Sequence, residues 1–133
     1  MKRAAAEFVR QRAGLRCEYC RMPEALDCLD FQCDHIVARK HGGDDGAENL
    51  AWSCWTCNVH KGPNIAGVDA ATGAVVPLFH PREDDWGVHF QWQDDELVGL
   101  TPRGRATIHV LAINAPHRVA LRASLRREGV AFT

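Results

Sequence analysis

Cys17-Glu18-Tyr19-Cys20 and Cys54-Trp55-Thr56-Cys57 decide how this chain folds. Each pair has the spacing at which two thiolates of one tight turn grip a single ion, and two such pairs make the complete four-sulfur shell of a structural zinc. They can share an ion only if residues 21–53 fold back on themselves, so whatever lies between them is held in fixed register. A four-thiolate zinc has no open coordination position, and any reaction centre must lie elsewhere.

Six cysteines in 133 residues also fit three disulfides. The paired grouping, the lack of a signal-peptide core behind Met1 and the His, Asp and Asn residues around the pairs favour metal ligation in a reducing compartment. Cys33 is expected to pack as a small hydrophobe, and Cys28 to be a free thiol or an alternative ligand. With 46% hydrophobic and 25% charged residues, the chain suits one globular domain over residues 1–133, its core reinforced by the metal. No apolar run approaches a membrane span, so a cytoplasmic protein with no membrane partner is expected.

The net charge of −1 conceals an uneven distribution. Residues 1–23 and 101–133 are basic, and residues 24–100 are acidic. Basic ends would supply the attraction for a polyanion, leaving part of the acidic middle for a cation.

Working outward from the knuckles, Arg3 to Ala13 reads as a helix presenting Ala5, Phe8, Val9 and Arg12, closed by Gly14. Residues 25–38 alternate as one or two short strands, with Leu29, Phe31 and Cys33 on one face. Residues 41–46 form a turn-rich loop, residues 47–52 return to the second knuckle, and a short helix over 55–61 stops at Gly62-Pro63. Beyond it come a hairpin with its tip at Ala71-Thr72-Gly73, a second hairpin of residues 88–92 and 97–100, and two helices. The first helix opens at Thr101-Pro102 and buries Ile108, Leu111, Ala112 and Ala115; the second opens at Pro116. In the last helix Arg118, Arg122 and Arg126 recur every fourth residue, either as a solvated face or as contacts to an anionic partner such as the DNA backbone. Trp55 is expected to pack and not to stack on a base.

Asp34-His35 with Asn58 is the remaining constellation that can carry chemistry. Carboxylate and amide oxygens are hard donors suited to Mg2+ or Mn2+, with phosphate and water completing the octahedron.

Taken in order, Cys-x2-Cys, Asp34-His35-Ile36-Val37, Gly42-Gly43, Glu48-Asn49-Leu50, Cys-x2-Cys-Asn58 and Lys61-Gly62 resemble the zinc-knuckle branch of the HNH endonucleases. Residues 61–67 and 77–82 also look like a bacterial subgroup of small stand-alone HNH proteins. The resemblance implies an α+β fold with a ββα-metal core over 17–62, a structural four-cysteine zinc, an N-terminal helix and a C-terminal extension over 63–133 with a hairpin and helices. It implies His35 as general base, Asp34 and Asn58 as ligands of a catalytic Mg2+ or Mn2+, and Asn49 as the residue that pins the loop and orients the imidazole. Asn58 stands where many members have His, making this an HNN variant. The expected activity is hydrolysis of DNA phosphodiester bonds, most simply in double-stranded DNA, with His60, Lys61, Arg118, Arg122 and Arg126 gripping phosphates. The alternative is a zinc-stabilised nucleic-acid-binding module that does not cut.

Overall fold

In the computed structural model, which describes residues 3–133, the segment between the knuckles does fold back. Strand β1 (Gln32–His35) pairs antiparallel with β2 (Leu50–Ser53), setting Cys33 opposite Trp52 and His35 opposite Leu50. β2 is buried at every residue because the first knuckle covers its other edge. Glu18 N donates to Trp52 O at 2.8 Å, and Trp52 N donates to the Glu18 carboxylate at 2.7 Å. Both polar groups of a strand edge are thereby satisfied inside the protein. Helix α2 (Trp55–Lys61) leaves β2 at once, with Cys54 as its N-cap and Gly62, at φ 51°, closing it.

The strand expected over 25–38 is shorter than its alternation suggests. Glu24–Leu26 is a single 3-10 turn and Leu29 lies in solvent, because β2 offers only four residues to pair with. Helix α1 (Arg3–Arg12) buries Val9 but leaves Phe8 56% exposed, under the Arg12 guanidinium. Arg12 reaches past it, donating to Ala47 O at 3.0 Å and Leu50 O at 2.7 Å. Arg10 binds both oxygens of Glu24, which also accepts from Trp52 Nε1 at 2.9 Å. The first helix is thus tied to the strand pair by polar contacts more than by its apolar stripe.

The remainder is hairpin β3–β4 (Ala66–Val68, Val75–Pro77), helical turn α3 (Trp86–His89), hairpin β5–β6 (Phe90–Gln93, Glu96–Gly99), α4 (Pro102–Val110) and α5 (Pro116–Arg127). The second hairpin begins at Phe90 and not at Val88, since Asp85 caps a helical turn by accepting from Gly87 N. Phe79, Trp86, Phe90, Trp92 and Phe132 form an aromatic core with centroid separations of 5.1–6.1 Å between neighbours. It joins the first knuckle through the Tyr19–Phe79 edge contact and a bond from Trp86 Nε1 to Tyr19 O at 2.9 Å. The buried apolar set runs from Val9 through both knuckles to Phe132.

The arginine stripe of α5 corrects the sequence reading, because it faces inward. Arg118 and Arg122 are buried, and Arg126 is partly so. Arg118 makes a two-pronged pair with Asp27 at 3.0 and 2.9 Å. Arg122 donates to Asp95 O, Ile113 O and Asn114 Oδ1, and Arg126 lies 3.3 Å from Asp95 Oδ1. Arg103 pairs with Asp84 and Arg105 with Asp69. The basic end therefore neutralises the acidic middle within the fold. Helical periodicity identified a stripe correctly but not the side of the helix that is buried.

Candidate functional site

The knuckles bring Cys17, Cys20, Cys54 and Cys57 together, all buried, with their sulfurs within 4.8 Å of one another. Tetrahedral zinc with bonds near 2.3 Å sets sulfurs about 3.8 Å apart, and Cys20 Sγ and Cys54 Sγ are separated by 3.8 Å. Backbone N–H groups already point at the cluster, Cys20 N at Cys17 Sγ and Cys57 N at Cys54 Sγ. The surrounding thiols favour the thiolate at Cys20 and disfavour it at Cys54 and Cys57, the pattern of sulfurs that cannot all ionise without a cation between them. Donor set, spacing and charge all fit zinc. Arg118 Nη2, 3.7 Å from Cys54 Sγ, adds positive charge beside the cluster; burial opposes its charge, but the Asp27 bond together with the charges of Cys20, Cys54 and Asp27 outweighs that and raises its pKa. Among the described residues no other group of three or more His, Cys, Asp or Glu side chains is gathered in this way.

A cleft of about 700 Å³ opens beside the cluster, and its lining includes Asp34, His35, Asn58, Gln32, Arg39 and Trp52. Asp34 and His35 are adjacent on β1 and both line this cleft. Asn58, on α2 one residue past the second knuckle, donates its amide hydrogen to Gln32 Oε1 at 2.9 Å, and its oxygen has no protein partner among the described residues. Asn49 bridges two parts of the loop. Its Oδ1 accepts from Val37 N at 2.9 Å, while its Nδ2 donates to Val37 O at 3.0 Å and Asp44 O at 2.8 Å. Gly43 lies so close to Val37 O that any Cβ there would collide with it.

Asp34 is nearly fully buried. Tyr19 Oη donates to its Oδ2 at 2.6 Å and Lys61 Nζ to its Oδ1 at 3.2 Å. Burial pushes its carboxyl above the ordinary range, opposed by the Lys61 ammonium and the Tyr19 bond. The Tyr19 phenol is raised well above its usual value by burial and by that carboxylate. Lys61 is 1% exposed and also donates to His35 O and Ile36 O. This corrects the sequence reading of Lys61 as a phosphate grip: its hydrogens are spent inside the protein. His60 does stand in solvent, its Nδ1 bonded to Thr56 O at 2.8 Å. Trp55 is 41% exposed, contrary to the expectation that it packs, and beside it Cys28 is an exposed free thiol away from the metal cluster.

The His35 ring is held by Asp45, 2.8 Å from Nε2 to Oδ1, and Arg39 donates to the same oxygen at 2.8 and 3.2 Å. The His35 bond, then Arg39, holds the Asp45 carboxyl below the ordinary range. Tyr19, Arg39 and Asp45 belong to the site without being singled out by the sequence pattern. Asp45 carried a usable signal, an acidic residue in the glycine-rich loop after His35. Tyr19 carried none beyond its place inside a knuckle.

Strand, strand and helix are thus built around four gathered thiols, with a cleft lined by Asp34, His35 and Asn58 alongside. Residues 17–64 match the family model described as HNH endonuclease, and the four cysteines, Asp34, His35, Asn49 and Asn58 all fall inside that match. The match likens this segment to nuclease and nucleic-acid-related domains. Comparison with curated proteins and with solved structures returns no significant match.

Proposed function

We propose that this protein is a metal-dependent endonuclease that hydrolyses DNA phosphodiester bonds, with residues 17–62 as its ββα-metal core. The observation that carries the reading is that Asp34, His35 and Asn58 line one cleft in the segment whose two ends the four thiols gather. His35 takes a proton from the attacking water as the water oxygen bonds to phosphorus and the bond to the 3′ oxygen breaks. Asp34 and the Asn58 amide oxygen would hold a Mg2+ or Mn2+ ion, which when bound offsets the charge developing on the phosphate and the leaving oxygen. Two hard oxygen donors on one cleft fit such an ion, with phosphate and water as its remaining ligands. Phosphates of a double-stranded substrate are met by the exposed Arg39 and Lys40, with His41 and His60 as further hydrogen-bond donors, and not by Arg118 or Arg122.

One observation favours the non-cutting alternative. The Lys61 ammonium already sits against Asp34, so a divalent ion would have to share that carboxylate with a fixed cation. Plasmid DNA incubated with zinc-loaded protein and Mg2+ or Mn2+, beside a His35→Ala control, separates the two. The nuclease reading expects nicked or linear product from the wild type alone. Intact plasmid from both proteins, with salt-dependent DNA binding retained, would establish the binding module instead.

A further inference from the structure

We infer that Asp45 is a positioning residue for His35: it holds the imidazole by Nε2 and so leaves Nδ1 as the nitrogen that meets water. The inference rests on the nuclease reading for its catalytic meaning, but the pairing itself is a property of the loop. Asp45 Oδ1 lies 2.8 Å from His35 Nε2. A carboxylate is acceptor-only, so the bond forms only when Nε2 carries the hydrogen, and in a neutral ring the lone pair is then on Nδ1. Nδ1 has no protein partner among the described residues, and the ring lines the cleft that Asp34 and Asn58 share.

The geometry is braced from both sides. Asn49 clamps Val37, two residues after His35, and Asp44, one residue before Asp45. One side chain thus sets the separation between the imidazole and its carboxylate. Asp44 Oδ1 accepts from Gly46 N at 2.9 Å, turning the chain tightly around residue 45, and Arg39 holds the Asp45 carboxylate from outside. Asp45 and Arg39 are 60% and 64% exposed. Pairs that open to water contribute little to folding, so stability gives no reason for this arrangement. Orienting a base does, because a small misplacement of a reacting group costs about 100-fold in rate.

The test compares wild type with Asp45→Ala and Asp45→Asn, all loaded with zinc. Proton NMR, with His35→Ala to assign the signal, should show a downfield, exchange-protected imidazole N–H in the wild type. That signal should vanish in Asp45→Ala and partly return in Asp45→Asn, whose amide oxygen can still accept. Melting temperatures should be alike. Plasmid cleavage should fall about 100-fold in kcat for Asp45→Ala with KM within about twofold, and recover in part for Asp45→Asn. A wild-type spectrum without the protected N–H, or Asp45→Ala cutting at the wild-type rate, would overturn the assignment. If the wild type cuts no DNA, the nuclease reading fails, while the NMR signal still decides whether Asp45 holds the ring.

Discussion

Lys61 Nζ lies 3.2 Å from Asp34 Oδ1 and donates as well to His35 O and Ile36 O, each at 3.1 Å. All three ammonium hydrogens are used, and the end of β1 is fastened to the end of α2 by one side chain. Replacing Lys61 by Met leaves a buried carboxylate and two carbonyls without their donor. Breaking a buried pair from one side costs about 3–5 kcal/mol. Urea denaturation of zinc-loaded Lys61→Met should show a loss of that size; a change under about 1 kcal/mol would mean that water replaces the ammonium there.

Zinc should bind at one ion per chain and should be needed for the fold. Sites of this kind bind with free energies on the order of 10–16 kcal/mol, comparable to or above the net stability of a domain. Elemental analysis of purified protein, followed by circular dichroism under a strong chelator, should show loss of the folded signal together with the ion. Retained structure after full removal would show that the extension over 63–133 stands without the knuckles.

Charge changes on α5 should act on folding and not on DNA. Arg118→Met removes a buried partner from Asp27 and a cation from beside the sulfurs, and should destabilise by about 3–5 kcal/mol. Lys40→Glu, on the exposed turn next to the cleft, should leave the melting temperature unchanged, weaken DNA binding and lower the magnitude of the salt slope by about one. Filter binding across a salt series, run beside thermal melts, reads both effects. Undiminished stability in Arg118→Met would return the stripe to the DNA-facing surface.

Asp69 should contribute to the acid limb of stability. Its buried carboxylate accepts from Arg105 Nε at 2.8 Å and Nη2 at 3.0 Å, from Thr72 and from Ala71 N, and the Arg105 bond leads in holding its pKa far below the ordinary 3.8. In the unfolded chain the group takes up its proton at higher pH than in the folded one. The stabilisation is therefore complete above about pH 4 and is lost as pH falls toward the folded value. Melting temperatures recorded between pH 7 and 2 should fall less steeply in Asp69→Asn than in wild type. Parallel curves would exclude a role for this pair.

Pairing rules in the sequence reached the four-cysteine cluster because ligand spacing is a local property. The orientation of Arg118 and Arg122 could not be read, since periodicity sorts residues onto a stripe without saying what packs against it. Lys61 was misread for a related reason: a cation after a knuckle looks the same whether its target is a phosphate or Asp34, twenty-seven positions earlier. The His35–Asp45 contact depends on how one loop closes, which glycines permit but do not specify.

Tyr19 sits between two sulfur ligands, and its hydroxyl ends on Asp34. If zinc is needed for the fold, as expected above, that hydroxyl reaches Asp34 only in a metallated chain. If the protein cuts DNA, newly made copies are harmless until metallated, and zinc supply becomes the first control on where and when the blade is assembled.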